Sequence, residues 1–581
     1  MSLQNIDPQI AAKAKGWLSD NYDPETRQAV QNMMDNHPTE LVESFYRDLE
    51  FGTGGLRGIM GAGTNRMNKY TVGTATQGLA NYLKKALPEV AEIRAAIAFD
   101  SRNKSPYFAR VAAQVLAANG IKVFLFDSLR PTPELSFAVR ELKCHTGIVV
   151  TASHNPKEYN GYKVYWSDGG QLVPPHDKNV IAEVQKIASI ADVKFSGNEE
   201  KIEIIGKEMD EAYLHMLTTL SLSPEIIKKQ HDLKIVYTAI HGTGYKLVPE
   251  ALKRFGFTDV HTVKEQMVPD GNFPTVVSPN PEEKAAMQMA LDLANDLNAD
   301  VILATDPDAD RVGMGVRDND GNYILLNGNQ SASLLIYYLL SQWKAKGKLT
   351  GKEFIAKTIV TSELLKDIAD SFNVETFDVL TGFKYIAEVI RKNEPQKKFI
   401  GGGEESYGYL IGDAVRDKDA VASCAMLSET AAWAREQGLS MYQMLINIYH
   451  EYGFYLEDLI SITKKGKSGA EKIQQMMADY RSNPPKEING IKVVKIKDYQ
   501  LRQEQNILSS EVKPIDLPKS DVLQFYLEGG SKITMRPSGT EPKIKFYFGV
   551  KGLLPDKSRF DEVNQEMRNK LEGMIDAMKL R

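Results

Sequence analysis

Short apolar runs that break into polar, Gly- or Asp-bearing loops and then into helical spacing recur along the chain: "AAIAFDSRNKS" (95–105), "GIVVTASHNP" (147–156), "KIVYTAIHGTG" (234–244), "DVILATDPDADR" (300–311) and "KFIGGGEESYG" (398–408). Continuous apolar strands followed by helices predict βα units with buried, mostly parallel sheets. In such sheets ligands lie beyond the carboxyl ends of the strands, so each of these loops is a candidate wall of one site. Between them lie amphipathic stretches such as "SPYFARVAAQVLAANG" (105–120), with Pro106 in the first turn and Gly120 as a stop, which predict helices. From about residue 490 the pattern changes. "IKVVKIKDY", "VLQFYLEGG" and "SKITMRPSGTEPKIKFYFGV" alternate apolar and polar positions around turns before a closing helix, "DEVNQEMRNKLEGMIDAMKL". This predicts a C-terminal α+β unit with a mostly antiparallel sheet.

Four units follow from these changes and from the polar, Pro/Gly-rich connections: 1–220, 221–325, 326–470 and 471–581. At 581 residues, with 42% hydrophobic and 25% charged residues, the chain is long enough for several cores and has an ordinary globular composition. The formal net charge of −5 argues against a chain built to hold nucleic acid or an anionic membrane. Any anionic ligand must be caught by local cations. Two cysteines, Cys144 and Cys424, exclude a disulfide framework and a cysteine-rich zinc site. There is no signal-peptide pattern at the N-terminus and no apolar run near the ~20 residues of a membrane span, so a cytoplasmic protein is expected.

Four loops carry candidate chemistry. In "DPDADR", Asp306, Asp308 and Asp310 alternate along an extended segment and project to one side. Three close carboxylates repel one another unless a cation neutralises them, and hard oxygen ligands with open positions suit Mg²⁺. A solvated acidic turn is the plainer alternative. In "TASHNP", Ser153 fits a helix cap or an ST-turn at least as well as a nucleophile. A Ser-His-Asp triad fits poorly, because His154 is its immediate neighbour. A phosphoserine would give the aspartate loop a partner with which to share a metal. In "RPSGTEPKIKFY" (536–547), Arg536 offers a bidentate clamp, and Ser538, Thr540 and the amides around Gly539 offer an anion nest; a β-hairpin turn is the alternative. "GGGEESYGY" (401–409) presents Glu404 and Ser406 for sugar hydroxyls, with a structural Gly-rich strand end as the alternative. Arg57 in "GTGGLRG" (52–58) could reach a phosphate.

"TASHNP", "DPDADR", "GEESYG" and "RPSGTEP", in that order, resemble the α-D-phosphohexomutase superfamily over nearly the whole chain. "FGTGGLRG", "NGYKVYW" and "LTGFKYI" (380–386) resemble its longer phosphoglucomutase-like branch, which also includes phosphopentomutases. The resemblance implies an α/β fold of three similar domains with mixed sheets plus a smaller fourth domain, arranged around a central cleft. It implies Ser153 as the phosphorylated catalytic serine and Asp306, Asp308 and Asp310 as Mg²⁺ ligands, with a serine phosphate oxygen completing the coordination. It places Glu404 and Ser406 on the sugar and Arg536, Ser538, Gly539 and Thr540 on the non-reacting phosphate. Thr381 and Gly382 fall in the substrate-contacting stretch, and Arg57, His154, Lys163, Arg311 and Lys418 match basic positions of the active site. Lys163, Lys418 and His154 are the candidate proton handlers.

The activity implied is interconversion of glucose 1-phosphate and glucose 6-phosphate through a bisphosphorylated sugar, which also serves as activator, with mannose phosphates as secondary substrates. A phosphopentomutase is the nearest rival, and a phosphatase and a phosphosugar sensor are the others. A monomer or homodimer is expected.

Overall fold

A computed structural model describes residues 6–52, 55–464, 466–538 and 543–581. Four sheets follow one another along the chain. The first runs, in spatial order, Gly55–Ile59, Tyr159–Trp166, Thr146–Val150, Arg94–Phe99, Lys122–Phe126 and Ile202–Ile205. Its last four strands are parallel, and its first two pair antiparallel. The second has the order Tyr323–Leu326, Val312–Arg317, Val301–Thr305, Ile235–Thr238 and Val260–Thr262, and is mixed. The third has the order Glu375–Val379, Glu353–Thr358, Lys398–Glu404 and Gly408–Ile411, with one antiparallel pair. The fourth is antiparallel throughout and ends against the helix Phe560–Ala577. The chain is thus α/β, with three mixed sheets and a sheet-rich C-terminal part.

The apolar runs explain the buried strands. Thr146–Val150 and Val301–Thr305 are buried at every position, as strands sandwiched between helices must be. One continuous apolar core links the first three sheets through residues such as Phe137, Tyr213, Leu247 and Leu427, and the fourth sheet has its own core around Phe525, Met535 and Phe546. The helices Pro8–Gly16, Pro24–Asn36 and Pro38–Phe45 precede the first sheet, and each opens on proline. Proline suits the first helical turn, where its missing N–H costs nothing.

Two elements lie across the expected breaks. The strand Phe454–Thr463, placed by composition in the unit 326–470, pairs along ten positions with Lys543–Gly552 and is an edge of the fourth sheet. Most of the polar stretch that suggested the break opens the helix Gly466–Ser482 that follows this strand. The helix Lys207–Thr218, placed in 1–220, packs on both Thr132–Glu141 and Gly244–Phe255, because its buried face, Met209, Tyr213 and Leu217, belongs to the shared core.

Where the third and fourth sheets meet, Lys532 Nζ lies 2.5 Å from Glu363 Oε1 and donates to the Ile359 carbonyl at 2.9 Å. Gln524 donates to the same carbonyl at 2.8 Å. Beside them, burial pushes the half-buried Glu457 carboxyl up to about 7, against the pull of Ser362 and Lys532. The folded chain therefore keeps a proton that the unfolded chain releases near pH 4. The stability held by this group is full below about pH 4 and is lost as pH rises through about 7. Glu457→Gln, which mimics the protonated form, is expected to gain about 1–2 kcal/mol over the parent at pH 8 and much less at pH 5. Urea unfolding at the two pH values measures this, and an equal difference at both would contradict it.

Candidate active site

The loops after Val150, Thr305 and Glu404 converge on one cleft. After Val150 the chain turns so that Ser153 takes φ 51°, a left-handed conformation that non-glycine residues seldom adopt. Thr151 Oγ1 accepts from the Ser153 amide at 2.8 Å and helps hold that turn. The result is a nearly buried Ser153 whose Oγ donates to Asp306 Oδ2 at 2.6 Å.

Asp306, Asp308 and Asp310 are all buried, and one oxygen from each lies within 4.8 Å of the others. The Asp310 and Arg311 amides donate to Asp306 Oδ1 at 3.1 and 3.0 Å, and Ala309 takes φ 49°, which folds the loop so that its carboxylates gather. Thr132, at the start of a helix on the first sheet, donates its amide to the Asp308 carbonyl and its hydroxyl to Asp308 Oδ2. The serine loop and the aspartate loop are thus held together by the first unit itself.

Electrostatics push Asp306 and Asp310 in opposite directions. Burial, reinforced by Asp308 and Asp310, raises the Asp306 carboxyl well above the usual range. Burial opposes ionisation of Asp310 as well, but Lys418, Lys163 and Arg311 outweigh it and hold that carboxyl far below its usual value. Asp308 Oδ1 and Asp310 Oδ1 are buried and accept no hydrogen bond. Two buried carboxylate oxygens without hydrogen bonds are costly unless something binds them. The donor set, all hard oxygens, suits a small divalent cation.

Lys163 Nζ donates to Asp308 Oδ2 at 2.7 Å and to Asp310 Oδ2 at 3.2 Å. Lys418 Nζ lies 3.1 Å from both Asp310 Oδ2 and Asp417 Oδ1. Burial would discharge either lysine, yet these carboxylates raise both ammonium pKa values, so both remain cations. Asp417 is further held by Tyr165 Oη at 2.7 Å and Gln171 Nε2 at 3.0 Å. His154 Nδ1 lies 3.3 Å from Ser153 Oγ; burial, with Arg311 and Arg57 nearby, pushes the imidazole down to about 2, so it is neutral. Arg57 is exposed and reaches Asn155 Oδ1 at 3.3 Å, while Arg311 pairs with Glu282 at 2.6 Å.

A cavity of about 550 Å³ opens beside Ser153, lined by His154 and Arg311, by Thr381, Gly382, Glu404 and Ser406 from the third unit, and by Arg536 from the fourth. Glu404 is buried, and its Oε1 accepts from the Gly382 amide at 2.9 Å. The Thr381 hydroxyl is buried and accepts or donates no hydrogen bond. Arg536 Nη1 approaches Tyr547 Oη at 3.5 Å. The Ser538 amide donates to the Lys543 carbonyl at 2.7 Å; Gly539 and Thr540 lie outside the described residues. One cavity therefore joins cations at one end, an acidic and hydroxyl-bearing wall, and Arg536 across from them, a layout suited to a phosphorylated polyol.

Family models match in sequence order: phosphoglucomutase/phosphomannomutase α/β/α domain I at residues 48–191, domain II at 211–321 and domain III at 327–452. The chain is similar to the phosphoglucomutase of Staphylococcus aureus (strain MRSA252), 40% identical over 532 residues, covering 91% of this chain and 93% of that protein. The chain belongs to the α-D-phosphohexomutase superfamily. A phosphoglucomutase of Staphylococcus epidermidis (strain ATCC 35984), 37% identical over 536 residues, covers 89% of this chain and 96% of its own length, which places this phosphohexomutase in the phosphoglucomutase branch. The same fold is seen in the open form of the Paramecium phosphoglucomutase pp63/parafusin, at 16% identity, 92% and 96% coverage and a TM-score of 0.67.

Sequence reasoning missed several residues of this phosphohexomutase site. Asp417 and Tyr165 close the charge network behind Lys418, Glu282 neutralises Arg311, and Thr132 anchors Asp308. Asp417 stood in the sequence beside Lys418, but nothing in the sequence showed that the pair is buried. Glu282 and Thr132 gave no signal.

Proposed function

We propose that this chain is a phosphoglucomutase that interconverts glucose 1-phosphate and glucose 6-phosphate through a phosphorylated Ser153. The observation that carries this reading is Ser153 Oγ, donating at 2.6 Å to a buried aspartate triad that presents two orphaned oxygens. The 37–40% identity to phosphoglucomutases over most of the chain supports it and does not favour the phosphopentomutase alternative.

The sugar's free hydroxyl attacks the phosphorus of phosphoserine 153; the bond from phosphorus to Oγ breaks, the hydroxyl proton passes to an oxygen of the transferring phosphoryl, and Oγ takes up a proton from a neighbouring ammonium, which the reverse step restores. The bisphosphorylated sugar then turns over. Its other phosphoryl returns to Ser153 Oγ by the reverse step, so no proton is consumed over the cycle. A sugar bisphosphate from solution serves as activator by charging an unphosphorylated Ser153.

Asp306, Asp308 and Asp310 would hold Mg²⁺. Bound there, the ion supplies charge neutralisation to the transferring group. Lys163 and Lys418, kept as ammonium ions by their carboxylates, add fixed positive charge and a proton source for the departing oxygen. The neutral His154 meets Oγ as a hydrogen-bond partner, and Arg57 and Arg311 flank the reacting phosphoryl. Arg536, with Ser538, Gly539 and Thr540, binds the other phosphate. Thr381, Glu404 and Ser406 take sugar hydroxyls, and Gly382 orients Glu404. With phosphosugars as substrates and both thiols free and buried, the enzyme works in the cytoplasm, as a monomer or homodimer, and accepts mannose phosphates more slowly.

Because Glu404 is buried and aimed by Gly382, Glu404→Gln is expected to lower kcat/KM for glucose 1-phosphate by about 10²-fold, the loss of charge-assisted hydrogen bonds to a substrate hydroxyl. The parent should prefer glucose 1-phosphate to ribose 1-phosphate by a comparable factor. A preference for ribose would reject the hexose assignment.

A further inference from the structure

Arg102, in "FDSRN" of the first unit, is a buried guanidinium to which the reaction above assigns nothing. Its Nη1 donates to the carbonyls of Pro156 at 2.9 Å and Tyr159 at 3.1 Å, and its Nη2 donates to the Ser153 carbonyl at 2.5 Å and to that of Asn155. Three of these carbonyls belong to the loop that carries Ser153, and the fourth, of Tyr159, opens the strand that follows it. The remaining nitrogen, Nε, lies 3.3 Å from Asp100 Oδ2. Asp100 is itself fixed, since its Oδ1 accepts from the Arg102 amide at 2.9 Å and from Ser105 Oγ at 2.7 Å.

The second unit closes the other side. Phe273, buried at φ 48°, places its ring 5.1 Å from the Arg102 guanidinium. A Cβ on Gly271 would fall 2.3 Å from the Asn103 amide nitrogen and 2.8 Å from the Arg102 carbonyl carbon, so the loop backbone rests directly on this segment. Asn103 Nδ2 donates to Asn272 Oδ1 at 3.0 Å, and further along the same loop Ser278 Oγ donates to the His154 carbonyl at 3.3 Å. The loop 268–280 lies in the unit that also carries the three aspartates.

We propose that Arg102 is a positioning residue for phosphoryl transfer: its fork holds the Ser153 loop in the left-handed turn that aims Oγ at the aspartates, and Phe273 registers that loop against the second unit. Ser153 alternates between hydroxyl and phosphate ester in the cycle, and its loop has to return Oγ to the same place in both states. A planar fork with four carbonyls in fixed directions does this, whereas an ammonium offers three donors without a fixed plane. Misplacement of a reacting atom by about 1 Å can cost on the order of 10²-fold in rate without weakening ground-state binding. The inference rests on Ser153 being the phosphoryl carrier.

The test compares the parent with Arg102→Lys and Phe273→Leu, using full-length protein with Mg²⁺, glucose 1-phosphate and saturating glucose 1,6-bisphosphate. Arg102→Lys is expected to lower kcat by about 30- to 100-fold with KM within threefold of the parent, and Phe273→Leu to lower kcat by about fivefold with the same unchanged KM. Both are assayed well below their melting temperatures, so that a purely structural role would leave kcat per folded molecule unchanged. Values of kcat within twofold of the parent in both variants, or losses matched by equal rises in KM, would overturn the proposal. If Arg102→Lys does not fold, Phe273→Leu decides by the same criteria. Phosphate on Ser153 is mapped in the parent alongside: a parent that never carries it overturns the carrier reading and this inference with it, whereas a phosphorylated parent with unaffected variants overturns this inference alone.

Discussion

Ser153→Ala is expected to lower kcat by about 10⁴- to 10⁶-fold, to the level of a site that binds its substrate but has lost its covalent carrier. The methyl group of alanine fits where Oγ was, and the only described partners lost are Asp306 and His154, so folding should be close to unchanged. Substrate should still bind, because Arg536, Glu404 and the flanking arginines remain. Turnover of glucose 1-phosphate in the presence of glucose 1,6-bisphosphate measures the loss, and calorimetric titration of the substrate measures the retained binding. A variant retaining more than about 1% of the parent kcat would count against Ser153 as the carrier. Binding that survives while the parent itself shows no turnover would favour a phosphosugar sensor instead.

The second large effect concerns the aspartates. Chelation of divalent cations is expected to abolish turnover and added Mg²⁺ to restore it, while Asp308→Asn should lower kcat by about 10³-fold or more at any Mg²⁺ concentration. Asp308 provides one of the two orphaned oxygens and also holds Lys163 at 2.7 Å. Its loss therefore removes a ligand and loosens the cation beside the transferring group. Melting temperatures add an independent check. In the parent, Mg²⁺ should raise the melting temperature, because it binds the folded site and not the unfolded chain. In Asp308→Asn the rise should shrink sharply. Equal metal-induced shifts in parent and variant would show that the cation sits elsewhere.

The parts of the fold carried by local pattern were legible in the sequence. Strands such as Thr146–Val150 and Val301–Thr305 announced themselves as unbroken apolar runs, and the helix Ser105–Ala118 by its spacing and its proline. Less legible was what depended on partners distant in sequence. The strand Phe454–Thr463 reads as part of the preceding segment until its pairing with Lys543–Gly552 is known, and the helix Lys207–Thr218 reads as the end of the first unit until its buried face meets Gly244–Phe255.

The candidate site divides the same way. Ser153 and the three aspartates stood out because each loop follows a buried strand, and the family resemblance gave them roles. Their charge balance was hidden, since Lys163 meets Asp308 across 145 positions and Tyr165 meets Asp417 across 252. Charge alone could not tell a solvated lysine from one held between buried carboxylates. The structure places both lysines among acids, whose carboxylates keep them as ammonium ions. The sequence also did not show that burial, with Arg311 and Arg57 nearby, keeps His154 a neutral ring beside Ser153.

The central claim is that Ser153 carries the phosphoryl group between the two positions of the sugar. Peptide mapping by mass spectrometry, on protein incubated with glucose 1,6-bisphosphate and Mg²⁺ and then desalted, tests it most directly. The account predicts a phosphate on the peptide containing Ser153, and its departure on addition of glucose 1-phosphate or glucose 6-phosphate with appearance of the bisphosphorylated sugar. An enzyme that turns over glucose 1-phosphate while Ser153 stays unmodified throughout would contradict it.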